Sequence, residues 1–391
     1  MCYFTHVYER LLRSRLQHDR HHLLLLGPRQ VGKSTLLGSL EPDLTLNLAS
    51  LATFREFVTE PERLERELLA APQTTRTVLI DEVQRIPALL DGIQAIVDGH
   101  PRRFRFLLSG SSGRKLRRGH ANLLPGRIVL HHLHPLLARE MGADFNLSRV
   151  LAHGSLPGIY ANADPESRSS TLRSYVDAYL REEVQAEALV RDIGGYARLL
   201  DLAAASSGRI INLHALSRDA AIGYETARRY LDVLEDTLIL FRIPAWSGSD
   251  RASLVAHPKV LLFDIGVRNA ILRRPLDRPL DDERGLLLEH LVGLELRRRE
   301  GSIWPEARVQ HFRTRRGAEV DFVLSVGREL WAIEVKGSRH VDARDLKGLE
   351  AFAERAGKLA RQIVVFLGAR RQRIDKVDML PVEEFLAELP G

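Results

Sequence analysis

Gly27-Pro28-Arg29-Gln30-Val31-Gly32-Lys33-Ser34 fits the spacing G-x-x-x-x-G-K-[ST]. The glycines let the backbone turn so that successive N–H groups face inward. With the positive end of a following helix they form a cradle for phosphate. Lys33 then reaches the β- and γ-phosphates, the Ser34 hydroxyl takes a place on Mg²⁺, and Thr35 completes the binding segment. The ligands expected from the motif are a nucleotide and Mg²⁺. Further on, Val78-Leu79-Ile80-Asp81-Glu82 is an apolar run ending in two carboxylates. Asp81 would hold Mg²⁺ through its water shell, and Glu82 would orient and polarise the attacking water. An Asp-Glu pair alone is more often a solvated turn; behind a phosphate loop the catalytic reading takes precedence.

A second group of charged residues lies near the C-terminus. Residues 317–336 read as a hairpin turning near Val326-Gly327, with Asp321 on one strand and Glu334 and Lys336 two apart on the other. Glu289 sits on an apolar helix upstream, Leu286 to Leu296. Such carboxylates with a lysine can hold Mg²⁺ and orient a water for attack on a phosphodiester. The competing reading is a closed salt-bridge network. His131, His132 and His134 form a further cluster, but no carboxylate or cysteine lies near them in sequence, which disfavours a metal.

The elements that must position the phosphate loop follow from periodicity. Apolar runs at His22–Leu26, Leu44–Leu48, Thr77–Ile80, Phe104–Leu108 and Ile128–Leu133 predict buried strands, and 33–40, 53–71 and 87–98 predict helices. This alternation predicts an α/β fold, a parallel sheet with helices on both faces. Residues 145–207 read as mainly helical, with Tyr175, Tyr179 and Leu180 on one face. Residues 212–221 and 224–240 read as two helices joined by the turn Ile222-Gly223, the layout of a helix-turn-helix, with Arg228 and Arg229 early on the second. A helix at 285–299 and strands near 309–313, 318–326, 330–336 and 362–367 predict a smaller α/β domain.

Composition narrows the setting. The chain has 391 residues, 45% hydrophobic and 28% charged, with one cysteine and a formal charge of +6. It is long enough for two or three domains, has no disulfide framework, and has no apolar run of membrane-spanning length. A cytoplasmic protein is expected, with no membrane partner. Residues 99–139 contain no Asp or Glu but hold nine Arg and Lys. That stretch would face DNA backbone, or line the nucleotide site and a subunit interface.

The order of these motifs resembles the AAA-type P-loop ATPases. By that resemblance Ser111, after the fourth strand, is the nucleotide sensor. Arg127, before the fifth, is an arginine acting in trans within a homo-oligomer. The C-terminal set Glu289, Asp321, Glu334 and Lys336 resembles the PD-(D/E)XK nuclease core of restriction endonucleases and Holliday-junction resolvases. There the Asp and the Glu bind metal and the Lys supports the nucleophile. Nearly the whole chain resembles prokaryotic AAA-type ATPases fused to a domain of unknown function with a winged-helix-like part and a nuclease-like core. Gly154 to Gly158, Tyr175 to Glu183 and Pro258 to Gly266 also carry that resemblance; Glu183 departs from its usual aspartate. The expected domains are an ATPase at 1–140, a helical and winged-helix-like region at 141–255 and a restriction-endonuclease-like domain at 256–391. The resemblance implies ATP binding and hydrolysis, so that the nucleotide is ATP. With the basic stretch and the helix-turn-helix layout, the function expected is a Mg²⁺-dependent ATPase controlling DNA engagement, with metal-dependent cleavage by the last domain. The alternative is a nucleotide-switched protein-interaction module whose nuclease-like domain is inactive. A small-molecule kinase fits less well, since no acceptor pocket is legible.

Overall fold

The computed structural model describes residues 8–111, 126–180, 192–247, 254–276, 281–357 and 359–390. The chain divides into two compact units. One comprises Glu9–His134 with Asp236–Ile239; the other comprises Met1–Tyr8, Pro135–Glu235 and Leu240–Gly391. Among the described residues no helix is long and apolar enough to cross a membrane.

The first unit opens with α1 (Leu11–His18) and then alternates β1 (His22–Leu26), α2 (Lys33–Gly38), β2 (Leu44–Asn47), α3 (Leu51–Thr59), α4 (Arg63–Ala70), β3 (Thr77–Asp81), α5 (Leu89–Gly99), β4 (Arg105–Gly110) and β5 (Ile128–His132). The five strands are all parallel, in the order β2-β3-β4-β1-β5. The apolar runs that announced these strands are those of a sheet covered on both faces. Leu24, Val78, Ile80 and Phe106 are buried with Phe57, Leu64 and Ile93 of the helices. The expected helix 53–71 is two helices, because Pro61 cannot continue the first and its predecessor is pushed out of the helical region. Register places Leu25 opposite Ser109 and Ile80 opposite Leu108. The carboxyl ends of β1, β3 and β4 therefore meet, where open parallel sheets bind ligands.

The second unit begins with helices, among them α6 (Leu147–His153), α7 (Ile193–Ala205), α8 (Leu213–Asp219) and α9 (Tyr224–Asp236). Asn212 caps α8, its side-chain oxygen accepting from the His214 N–H at 2.9 Å. The second helix of this pair was expected to reach Leu240. It stops at Asp236 because Leu238 adopts the left-handed conformation, φ 60°, and Leu240 starts a strand. β6 (Leu240–Ile243) and β7 (Lys259–Leu262) pair antiparallel, so residues from both sides of position 255 share one element. After α10 (Ile265–Ile271) and α11 (Arg284–Arg299) come β8 (Ala307–Arg313), β9 (Glu319–Val326), β10 (Glu329–Lys336), α12 (Lys347–Ala356), β11 (Arg361–Phe366), β12 (Gln372–Ile374), β13 (Val377–Pro381) and α13 (Val382–Glu388). They form a mixed six-stranded sheet, order β12-β13-β11-β10-β9-β8. The β9–β10 hairpin turns at Gly327, φ 58°, where expected. Gly293 of α11 lets the Phe322 ring lie close; a Cβ there would fall 2.6 Å from it. On α12, Phe352 packs against Phe312 and Trp246.

Candidate functional site

The phosphate loop joins β1 to α2. Its curvature requires left-handed backbone at Gln30, φ 62°, and Gly32, φ 93°. Gly27 is required for a different reason: a Cβ there would lie 2.2 Å from the Leu133 carbonyl oxygen. Lys33 is buried, and its ammonium donates to the carbonyls of Gly27 at 2.9 Å and Pro28 at 3.0 Å. The loop is also held from behind. The buried Arg10 donates to the Val31 carbonyl at 2.7 Å and the His134 carbonyl at 2.6 Å. Nothing in the sequence pattern marks Arg10 for this role, since its partners lie 21 and 124 residues away.

The ends of β3 and β4 complete the site. Ser34 Oγ donates to Asp81 Oδ2 at 2.7 Å, and Ser109 Oγ donates to the other oxygen of Asp81. Ser109 Oγ also accepts from the Glu82 N–H at 3.0 Å. Glu82 takes the left-handed conformation, φ 62°, which non-glycine residues adopt rarely and at functional turns. Its Oε1 stands 4.0 Å from Lys33 Nζ, while Oε2 accepts from Gln84 Nε2 at 2.5 Å. Gln84 Nε2 donates as well to Ser111 Oγ at 3.0 Å. Gly110 leaves the room for this: a Cβ there would come within 2.9 Å of Gln84 Oε1. Lys33, Ser34, Asp81, Glu82 and Ser111 are thus brought together. Ser109 and Gln84 join them, although the sequence reading gave neither a role. The exposed Arg29 and Gln30 lie on the loop itself.

Gln84 is the physical link between Ser111 and Glu82. Gln84→Ala is expected to lower kcat for ATP between about tenfold and 10²-fold with KM nearly unchanged, because a freed carboxylate is misplaced rather than lost. Steady-state phosphate release read against ATP concentration checks it.

Arg127 is not at this site. It precedes β5, whose first residue Ile128 pairs with His22 at the opposite end of β1, and it pairs with Asp98 at 2.8 Å. Two arginines of the acid-free stretch are committed to the fold. Arg103 donates to carbonyls at the end of α4, and Arg105 to those of Leu16 and His21. Ser112, Arg114, Lys115, Arg117, Arg118 and Leu123 to Pro125 lie outside the described residues, as do Glu183 and the side chains of Tyr179 and Leu180. The rings of His132 and His134 stack at 6.2 Å.

In the second unit, Glu289, Asp321, Glu334 and Lys336 do gather, but around a residue assigned no role from sequence. Lys259 of β7, 1% exposed, places Nζ 2.5 Å from Glu289 Oε1, 3.4 Å from Asp321 Oδ1 and 4.0 Å from Glu319 Oε1. Asp321 Oδ2 accepts from the Val335 N–H at 2.8 Å, and Lys336 Nζ donates to Glu334 Oε1 at 2.9 Å. Among the described residues no three His, Cys, Asp or Glu side chains are arranged to hold a metal ion. Burial disfavours the Lys259 charge, but Asp321 and Glu289 outweigh it and hold the pKa above the ordinary lysine value. Burial, then the Asp321 charge, pushes Glu289 and Glu334 up to about 8.

An uncharacterised protein of Mycobacterium tuberculosis and one of Mycobacterium bovis are each 26% identical over 386 residues, covering 95% of this chain and 82% of the relative. A Haemophilus influenzae protein is 23% identical over 260 residues, 62% of each chain. Among solved structures, the Thermotoga maritima RuvB Holliday junction branch migration motor aligns with 59% of this chain and 85% of its own, at 16% identity and a TM-score of 0.30. A signal transduction ATPase of Pyrococcus horikoshii aligns with 73% and 44%, at 11% identity and 0.26. Scores this low carry no functional argument. Residues 144–278 and 284–385 each match a domain of unknown function, DUF8612 and DUF4143. Residues 19–142 match the AAA domain, and that match supports an AAA-type ATPase that binds nucleotide.

Proposed function

We propose that this chain is a Mg²⁺-dependent ATPase of the cytoplasm whose nucleotide state controls engagement of DNA. The observation that carries the ATPase half is the single hydrogen-bonded set of Ser34, Asp81, Ser109, Glu82 and Gln84 beside Lys33. Residues Gly27 to Thr35 would hold the triphosphate, and Ser34 and Asp81 would hold Mg²⁺. When bound, that ion neutralises charge on the β- and γ-oxygens. Glu82 accepts a proton from the attacking water, and Lys33 stabilises charge on the leaving phosphate. Arg127, outside its own chain's site, would serve a neighbour's nucleotide in a homo-oligomer.

Support for DNA comes from the second unit. Arg218, Arg228 and Arg229 are exposed on the α8–α9 pair, which the β6–β7 ribbon follows as in a winged helix. The test is ATP turnover with and without single-stranded, duplex and branched DNA across a salt series. DNA is expected to raise turnover, with binding that weakens steeply as salt increases. No response to any DNA would overturn the DNA half and leave the ATPase half standing.

Lys259 favours a second reading for residues 256–391: a nuclease-like core that does not cleave and instead docks a protein partner in one nucleotide state. Nucleotide-dependent capture of a protein, with no cleavage of any DNA in Mg²⁺ or Mn²⁺, is its expected signature.

A further inference from the structure

A nuclease core of this type holds its divalent ion between carboxylates that keep oxygens open for it. Here both oxygens of Asp321 and one of Glu289 are already engaged. Asp321 Oδ1 faces Lys259 Nζ at 3.4 Å, and Oδ2 accepts the Val335 N–H. Glu289 Oε1 takes the same ammonium at 2.5 Å, and the Asp321 carbonyl takes it at 3.3 Å. The residues therefore do not fit a divalent ion as they stand. From this geometry we infer that Lys259 is a built-in cation occupying the place of the metal between Glu289 and Asp321, so that the wild-type cluster takes up no Mg²⁺. The inference rests on the reading of this core as nuclease-like and non-cleaving, and supplies its physical cause.

Three further features hold the ammonium in place. Its backbone is fixed, since Lys259 pairs with Ile243 across the β6–β7 ribbon and bridges to Ile210. The neighbouring Val260 N–H donates to Arg209, and the Ile211 N–H to Pro258. The ribbon fixes where the side chain starts, and the contacts to Glu289 and Asp321 fix where it ends. Its nitrogen also lies 4.9 Å from the centre of the Phe322 ring, so an aromatic face stands where a hydrated ion would keep water. An ammonium and a dication cannot share one buried point, because both volume and like charge forbid it. Meanwhile Glu334 Oε2 is buried and accepts no hydrogen bond, so one carboxylate oxygen of the cluster stays unused. Removing the ammonium would leave that oxygen, with those of Glu289 and Asp321, to a cation.

Lys259→Met tests this with Mn²⁺ as the probe, without nucleotide. Methionine keeps an unbranched apolar stem and removes the charged nitrogen. The variant is expected to melt below wild type without metal, because the carboxylates lose their counter-charge. Mn²⁺ should raise its melting temperature by about 3 °C or more, with an Asp321-dependent binding event that wild type lacks. Lys259→Met with Asp321→Asn should lose both effects, which locates the ion. Lys259→Gln is read the same way if the methionine variant does not fold. Mn²⁺ binding to wild type that Asp321→Asn abolishes would overturn the inference, as would a folded variant with no gain. Such binding without DNA cleavage leaves the non-cleaving reading intact; wild-type cleavage that needs Asp321 removes both.

Discussion

Glu82→Gln is expected to bind ATP as wild type does and release phosphate at least ~10²-fold more slowly, the range for a lost general base. The exchange keeps the shape of the side chain and its acceptor for Gln84 Nε2. It removes only the capacity to take a proton from water. Lys33→Ala is the contrast. Its ammonium, set at the loop by the Gly27 and Pro28 carbonyls, is the loop's own counter-charge for phosphate. Binding and turnover should therefore fall together. A fluorescent nucleotide measures the first quantity and phosphate release the second. Wild-type turnover by Glu82→Gln would remove Glu82 from the chemistry, and the left-handed backbone that aims it would then need another explanation.

The contrast between Glu82 and Gln84 shows what could be read from sequence. The phosphate loop is a local motif: spacing, glycine and the following helix lie within about ten residues. Asp81-Glu82 was legible because an apolar run ended in two charges. Gln84 is two residues further on, yet its role depends on Ser111, across the strand order β3-β4, and on the missing side chain of Gly110. No periodicity carries that information. Arg10 and Lys259 are harder still. Each is a single charge whose partners come from distant elements, and an isolated Arg or Lys in sequence reads as solvated surface. The Asp321 and Glu334 strands could be paired because a two-residue turn fixes their register. The lysine between Asp321 and Glu289 comes from 62 residues upstream of Asp321, through a ribbon that no hairpin signal predicts. The early end of α9 has the same origin, since a leucine in left-handed backbone has no sequence signature.

The acid limit of the second unit should be set in part by one buried histidine. His290 is fully buried on α11, with Nε2 2.7 Å from the Leu262 carbonyl. A carbonyl only accepts, so Nε2 carries the proton and Nδ1 is the bare nitrogen. Ser207 Oγ lies beside the ring and accepts the Leu262 N–H at 2.8 Å. Burial, opposed by the Leu262 contact and reinforced by the charges of Arg268 and Arg298, brings the pKa down to about 3. A free histidine takes up its proton near 6.5. Above that pH neither the folded nor the unfolded chain holds the extra proton, and the group is silent. Below it the unfolded chain binds a proton that the folded chain refuses, so stability falls as pH drops from about 6.5 toward 3. At pH 5 the loss is about 2 kcal/mol. Glu289 and Glu334 act with the opposite sign: their raised pKa values favour the folded chain as pH falls from 8. The total pH curve is therefore a sum of opposing terms, and the readout must be a difference between variants. His290→Gln keeps an N–H for Leu262 and does not titrate. Urea stability of wild type minus that of His290→Gln should shrink by about 2 kcal/mol between pH 7 and pH 5. A difference that stays constant with pH would mean that His290 is protonated in the fold, and the imidazole nitrogen shifts at pH 5 would show that directly.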